Sequence, residues 1–270
     1  MADGVRRPLT VVVCTLNEEE VIGRCLASVA WADERLVLDS GSSDRTCAIA
    51  TGTGARVEEQ PWLGFSVQKN RAASLAQYDW ILSLDADEVV TPELAQSIER
   101  VLADDGPDPS SGFSVNRRSD FLGALLPNGA RRKHREAFVR LYNRRFGAWD
   151  EDMAVHEAVR VPGLRLALRG DLLHLNAMTI DAMVLSLNRY ATVEAQDLLE
   201  RGRRTRPAEV LVRPVMRFAW QYLVIREYRL GGHGAVHAGL QAAREFLRYA
   251  KLWELQGSAR WRRGKRGQPS

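Results

Sequence analysis

The chain has 270 residues and a net charge of +4, with 45% hydrophobic and 27% charged residues. This composition is typical of a globular protein with a large core and argues against a disordered or fibrous chain. The three cysteines, Cys14, Cys25 and Cys47, lack the close Cys/His spacing of a zinc site, so we expect reduced thiols and a cytosolic protein. We expect no signal peptide, because the first apolar run, 9–14, is too short for one, and no membrane span, because no uncharged apolar run reaches about 18 residues.

Apolar and amphipathic segments alternate along the first third of the chain. The apolar runs predict strands at 9–14, 35–38 and 80–84, with a short strand at 55–57, and the intervening segments predict helices at 18–30, 45–50 and 66–76. Four such alternations with short connections predict an α/β fold with a doubly wound, mostly parallel sheet. In such a sheet ligands bind at the carboxyl ends of the strands, where Thr15, Asp39 and Asp85 would gather.

Asp85 and Asp87 follow the fourth strand one residue apart. The pleat of a strand would send both carboxylates to the same side, where they could hold Mg²⁺ or Mn²⁺ against a diphosphate. A solvated loop or a helix cap is the alternative interpretation of such a pair.

Further along, the pattern predicts a helix at 91–103 and strands at 112–118 and 138–143. The basic segment 131–135 is either a solvated loop or a site for phosphate or acceptor. Residues 149–157 hold several acids around His156 and Trp149; they form either an acidic surface turn or a catalytic segment, because an apolar neighbour raises a carboxyl pKa. His174 could be a metal ligand or a hydrogen-bonded core histidine.

The C-terminal third is basic and amphipathic. A helix is predicted at 180–199, and apolar residues then recur every three or four positions from Leu211 through Val215, Phe218 and Tyr222 to Ile225. Residues 201–270 carry sixteen Lys and Arg against four Glu, or +12, which leaves −8 for residues 1–200. The segment is either an interfacial membrane element or a helical pair packed on the sheet domain with a disordered basic tail.

Five segments resemble the inverting glycosyltransferases of family 2, which have the GT-A fold. In the family's order they are Val13-Cys14-Thr15-Leu16-Asn17-Glu18, Asp39-Ser40-Gly41-Ser42-Ser43-Asp44-Arg45-Thr46, Gln68-Lys69-Asn70, Leu84-Asp85-Ala86-Asp87-Glu88 and Val155-His156-Glu157. More narrowly, they are similar to the branch that includes lipopolysaccharide inner-core β-glycosyltransferases. The chain differs from the family pattern in two places. At 131–136 it has a basic loop and a glutamate where relatives carry aromatic residues and a Pro-Asp pair. At 231–234 Gly-Gly-His-Gly replaces an Asp-Gly turn.

The resemblance implies a GT-A domain at 8–177, with a nucleotide-binding half at about 8–110 and an acceptor half at about 111–177. A helical region that either associates with a membrane or packs on the sheet domain would follow at 178–256, and a disordered basic tail at 257–270. The implied donor-site residues, which would hold a UDP-sugar, are Thr15, Leu16, Asn17, Glu18, Asp39, Ser42, Lys69, Asp85 and Ala86. Asp87 would bind Mg²⁺ or Mn²⁺, with Asp85 and His156 as further metal ligands.

For the catalytic base, the resemblance points to Glu157 first, with Asp152 and Asp150 in reserve. The expected activity is metal-dependent transfer of a hexose to a lipopolysaccharide-core or other lipid-linked glycan. The enzyme would act as a peripheral protein on the inner face of the cell membrane, attracted by its anionic surface and without a nucleic-acid partner. The alternatives are a protein or peptide glycosyltransferase of the same fold and a non-enzymatic binder of anionic polymers or membranes.

Overall fold

The computed structural model describes residues 6–103, 106–127, 138–151, 158–175 and 179–265. These residues form two compact units. One comprises the described residues up to 119 together with 138–175, and the other comprises residues 120–127 together with 179–265.

Most strands and four helices belong to the first unit. The strands are β1 Leu9–Thr15, β2 Glu34–Asp39, β3 Arg56–Glu59, β4 Trp80–Asp85, β5 Glu88–Val90, β6 Gly112–Phe121, β7 Ala124–Leu125, β8 Val139–Asn143, β9 Ala148–Trp149, β10 Val159–Arg160 and β11 Arg165–His174. The helices are α1 Ile22–Ser28, α2 Thr46–Gly52, α3 Phe65–Leu75 and α4 Pro92–Ala103. The predicted strands and helices of this part are confirmed, with ends that differ by a few residues.

The main sheet has the strand order β3-β2-β1-β4-β8-β6-β11-β5, with β7 paired to β6, and β9 and β10 form a separate pair. Strands β3, β2, β1 and β4 run parallel, whereas β8 is antiparallel to both of its neighbours. Along β1, Val11 and Val13 enter one core cluster and Val12 enters a second. Burial on both faces explains why the central strands β1 and β4 are mostly apolar.

The register brings the polar ends of the central strands to one edge of the sheet. Thr15 pairs with Asp39, and the neighbouring Cys14 pairs with Asp85. The sequence-based expectation that these three polar residues gather at the carboxyl ends of the strands is therefore confirmed.

Asp87 differs from the expectation that one pleat orients both aspartates. Strand β4 ends at Asp85, and the chain turns at residues 86–87 before it enters β5. Because β5 pairs with β11, with Glu88 opposite His174, the turn brings Asp87 to β11. The two aspartates consequently meet different partners.

The second unit contains the remaining helices: α5 Ile180–Glu200, α6 Pro207–Ala219 and α7 Gly232–Lys265. The apolar spacing from Leu211 to Ile225 predicts one continuous amphipathic segment, but α6 ends at Ala219. A π-helical turn, Trp220–Val224, and a 3-10 turn, Glu227–Leu230, follow it. None of the helices among the described residues is long and apolar enough to cross a membrane.

The break after α6 is fixed by a buried polar contact. Arg226 adopts a left-handed conformation with φ of 66°, which turns the chain so that Glu227 is buried. The Glu227 carboxylate accepts a hydrogen bond from the Gln221 side chain and lies 2.9 Å from Nδ1 of His237 in α7. These bonds hold the π-helical turn against α7, and helical periodicity alone could not predict them.

Candidate active site at the carboxyl ends of the central strands

Asp85 lies between two cations at the end of β4. Its Oδ1 is 3.0 Å from Nζ of Lys69, and its Oδ2 is 3.0 Å from the guanidinium of Arg140. Burial opposes ionisation of this carboxyl, but the charges of Arg140 and Lys69 hold its pKa well below the usual range. Asp85 is therefore a fixed anion whose two oxygens are both engaged.

Glu88 is the buried member of the same cluster of charged side chains. Its side chain is fully buried, lies 2.7 Å from Arg140 and 2.9 Å from Arg117, and accepts a hydrogen bond from the backbone N–H of Asp85. Burial raises the pKa of Glu88 despite the opposing charge of Arg140. The contacts tie the turn after β4 to β6 and β8, which gives Glu88 a positioning role.

Asp87 meets a histidine instead of an arginine. Its Oδ2 lies 2.8 Å from Nε2 of His174 at the end of β11. Nδ1 of His174 is buried and has no hydrogen-bond partner among the described residues. The pKa of Glu18 is raised, first by burial and then by the negative charges of Asp87 and Asp44. Glu18 is therefore close enough to Asp87 to be affected by its charge. Carboxylate and imidazole form a donor set that suits a divalent transition metal such as Mn²⁺.

No group of three or more His, Cys, Asp or Glu side chains in the described part of the chain is arranged to hold a metal ion. Asp87 and His174 therefore supply at most a partial set of protein ligands. A sugar-nucleotide diphosphate could complete such a set, because Mg²⁺ and Mn²⁺ are commonly shared between one or two protein groups and phosphate oxygens.

The loops after β1 and β2 are joined by side-chain hydrogen bonds. The backbone N–H of Asn17 donates to Oγ of Ser42, and Oδ1 of Asn17 accepts from the backbone N–H of Ser43. The N–H of Glu18 donates to Oγ1 of Thr46. Asn17 adopts φ of 55°, a left-handed conformation that asparagine tolerates better than most residues. The two predicted donor-site segments thus form one surface.

Asp39 holds the second of these loops in place. Its Oδ2 accepts hydrogen bonds from the backbone N–H groups of Gly41 and Ser42, and its Oδ1 accepts from Oγ of Ser42. The residue is buried at the end of β2. Of the other predicted donor-site residues, Thr15 and Ala86 are buried, whereas Leu16 is exposed in the turn after β1.

Three consecutive residues of α3 bind three different parts of the site. Gln68 donates to Oγ of Ser40 and to the carbonyl of Gln60, which ties α3 to the segments that follow β2 and β3. Lys69 pairs with Asp85, and its ammonium lies 4.3 Å from the ring centroid of Trp149. The Gln-Lys-Asn motif is therefore a structural junction as well as a candidate donor contact.

Asn70, the third residue of the motif, holds the start of the acidic segment. Its Nδ2 donates to the carbonyl of Trp149, and its Oδ1 accepts from the Trp149 N–H. Next along the chain, Asp150 is buried with Oδ2 2.5 Å from Arg160. Asp152, His156 and Glu157 lie outside the described residues, so the assignments of base and metal ligand to them stay predictions.

The roles of two residues of this site, Arg140 and His174, could not be assigned from the sequence alone. Arg140 stands in an apolar strand, where a single arginine suggests an outward-facing side chain; only the pairing of β8 with β4 brings it to Asp85. His174 was interpreted as either a ligand or a core residue, and the β5–β11 register decides that it faces Asp87. Both signals depend on strand pairing, which a single sequence does not specify.

Residues 10–153 match the model of glycosyl transferase family 2. A lipopolysaccharide core biosynthesis glycosyltransferase, LpsC of Rhizobium meliloti (strain 1021), is 30% identical over 254 residues and covers 92% of each chain. An uncharacterized glycosyltransferase of Rickettsia typhi, RT0209, is 28% identical and covers 94% of this chain and 89% of its own.

Solved structures with a similar arrangement include Staphylococcus aureus TarS 1–349 in complex with UDP-GlcNAc. It is 12% identical, covers 93% of this chain and 92% of its own, and has a TM-score of 0.48. Glucosyl-3-phosphoglycerate synthase of Mycobacterium tuberculosis, solved with Mn²⁺ and UDP-glucose, is 26% identical with a TM-score of 0.34 over 44% of this chain and 45% of its own. The α/β sheet with C-terminal helices agrees with the expected GT-A fold. By its sequence match over residues 10–153 and its full-length similarity to LpsC, the chain is an enzyme of glycosyltransferase family 2.

Proposed function

We propose that this glycosyltransferase transfers a hexose from a UDP-sugar, with inversion, to a lipopolysaccharide-core or other lipid-linked glycan. The observation that carries the proposal is the Asp87–His174 pair beside the gathered ends of β1, β2 and β4. The similarity to LpsC supports this class of acceptor.

In this proposal the joined loops after β1 and β2 bind the nucleotide. Asn17, Glu18 and Ser42 line it, and Asp39 hydrogen-bonds the base while it holds its own turn in shape. Lys69 and Asp85, already locked as an ion pair, face the ribose, sugar or phosphate. A site whose charged groups are held in place before the ligand arrives loses little reorganisation energy on binding.

Asp87 and His174 would hold the divalent cation. When Nε2 of His174 carries a proton it donates to Asp87, and a bound cation would take the place of that shared proton. Burial, and then the negative charges of Asp87 and Asp44, raise the pKa of Glu18, and negative charge at this position would favour a bound cation. Once bound, the metal would act as a Lewis acid that offsets charge on the departing diphosphate.

The catalytic base must come from the acceptor side. The acceptor hydroxyl loses its proton as it attacks the anomeric carbon opposite the diphosphate, and we assign this proton to Glu157, with Asp152 as the reserve. Asp150 is the weakest candidate, because Arg160 is already paired with one of its carboxylate oxygens. Asn70 would orient the base indirectly, through its two hydrogen bonds to the backbone of Trp149.

A lipid-linked acceptor places the reaction at a membrane surface, so we further propose a peripheral protein at the inner face of the cell membrane. The basic balance of residues 201–270 supports attraction to anionic lipid.

Transfer from radiolabelled UDP-sugars to membrane extracts tests the proposal. We expect label in the lipid or lipopolysaccharide fraction and its loss in Asp87→Asn. Asp79→Asn is a matched control, because Asp79 immediately precedes β4 at the opposite end of that strand and its side chain is about as exposed as that of Asp87. Label confined to a peptide fraction would favour a protein acceptor, and no turnover of any UDP-sugar would overturn the donor assignment.

A further inference from the structure

One face of α6 and the π-helical turn after it is apolar and open to solvent. Leu211 and Val215 are 68% and 69% exposed, and α6 has no buried residue among those described. We define the docking face by its exposed apolar side chains, which are Leu211, Val212, Val215, Met216 and Leu223.

The opposite side of α6 is occupied within the second unit. The guanidinium of Arg213 lies 4.5 Å from the ring centroid of Tyr249 in α7, and Val210 packs against the buried cluster that includes Tyr249 and Leu252. At 100° per residue, Leu211, Val212 and Val215 point away from this packed side. The apolar side chains of the docking face are therefore not used in packing α6 against α7.

Cations flank the docking face at both of its ends. Arg204 and Arg206 are exposed just before α6, and Arg226 and Arg229 are exposed just after the π-helical turn. An apolar face with arginines beyond both of its ends has the chemistry of a segment that lies in the headgroup region of an anionic leaflet.

We infer that the docking face inserts into the outer few ångströms of a bilayer leaflet that contains anionic phospholipid, with the flanking arginines on the headgroups. A second copy of the chain fits less well. Antiparallel pairing of two docking faces would set Arg204 and Arg206 of one copy against Arg226 and Arg229 of the other, and parallel pairing would set each arginine against itself.

The π-helical turn would extend the face beyond α6. Glu227 holds Gln221 inward, whereas Leu223 is exposed. The inference deepens the membrane location proposed above. Because lipid binding requires no sugar transfer, failure of one can be told from failure of the other.

Flotation of the full chain with vesicles of phosphatidylcholine alone, or with a third phosphatidylglycerol, tests the inference. We expect binding to the anionic vesicles and a loss of about tenfold or more in Leu211→Glu/Val215→Glu. The control is Leu164→Glu, a leucine that is 69% exposed in the sheet unit and should leave binding unchanged. Arg204→Gln and Arg206→Gln should each weaken binding to anionic vesicles about fivefold.

A spectroscopic measurement checks the same face without a charge insertion. Val215→Trp places a tryptophan at the centre of the docking face, and brominated lipid should quench its fluorescence when the chain is bound to vesicles. Absence of vesicle binding, or equal losses in Leu164→Glu and Leu211→Glu/Val215→Glu, would overturn the inference. A shift from dimer to monomer in Leu211→Glu/Val215→Glu, with vesicle binding unchanged, would assign the face to a second copy instead.

Discussion

The ammonium of Lys69 lies 3.0 Å from the carboxylate of Asp85, and both groups are held at the end of β4. Lys69 is buried, so its removal breaks a buried ion pair. Lys69→Met would leave Asp85 with Arg140 alone and should lower the free energy of unfolding by about 2–3 kcal/mol. Denaturant unfolding measures the loss. Arg71→Met, which removes an exposed cation of the same helix, should change stability by less than about 0.5 kcal/mol; equal effects would contradict a buried pair.

The same cluster predicts an acid sensitivity. Because the pKa of Asp85 is lower in the folded chain than in the unfolded one, the ionised carboxylate stabilises the fold above the unfolded pKa of about 3.9. That contribution is lost as the pH falls below this value toward the folded pKa. Unfolding free energies measured from pH 5 to pH 2 should therefore fall less steeply in Asp85→Asn than in the unsubstituted chain. Parallel curves would show that Asp85 is not the group responsible.

Asn70 joins α3 to the segment that leads to the predicted base. Asn70→Ala removes both hydrogen bonds to the Trp149 backbone, and should lower kcat about tenfold or more with a smaller change in KM for the donor. Gln77→Ala, which removes an exposed amide just after the same helix, is the control. A change in donor KM alone would place the effect of Asn70 on the nucleotide side.

Mn²⁺ binding tests the proposed metal site formed by Asp87 and His174. His174→Ala and Asp87→Asn should each weaken Mn²⁺ binding in the presence of UDP by at least about tenfold, measured by titration calorimetry. His233→Ala removes an exposed histidine at the start of α7 and should bind Mn²⁺ as the unsubstituted chain does. Unchanged Mn²⁺ affinity in both site variants would refute the proposed metal position.

Gly234 lies where a Cβ atom would be 1.9 Å from the carbonyl oxygen of Glu227. Gly234→Ala should therefore cost about 1–3 kcal/mol of stability through steric strain. Gly239→Ala in the same helix meets no atom within 4 Å and should be neutral or stabilising by up to about 1 kcal/mol. Thermal unfolding of the two variants makes the comparison, and equal losses in both would contradict a specific clash between a Cβ at position 234 and Glu227.

The sequence alone predicts the features that depend on local patterns, but not those that depend on contacts between residues far apart in the chain. Buried strands such as β1 are apolar throughout, and parallel topology then places Thr15, Asp39 and Asp85 at one edge. The partners of Asp85 and Asp87 depend on how β8 and β11 pair with distant strands, which local patterns do not encode. The break at Arg226 was likewise missed, because a buried carboxylate rather than helical periodicity determines it. The domain boundary at residue 177 stays a prediction.

The junction formed by Gln68, Lys69 and Asn70 has a consequence for protein engineering. Consecutive helical residues point about 100° apart, so a one-residue insertion or deletion in α3 would misdirect all three side chains together. A chimera that exchanges the nucleotide loops with those of another family member should take Phe65–Leu75, the β4 end and Trp149 from the same parent as those loops. If only the loops were exchanged, the contact partners of Gln68 would come from one protein and those of Lys69 and Asn70 from the other.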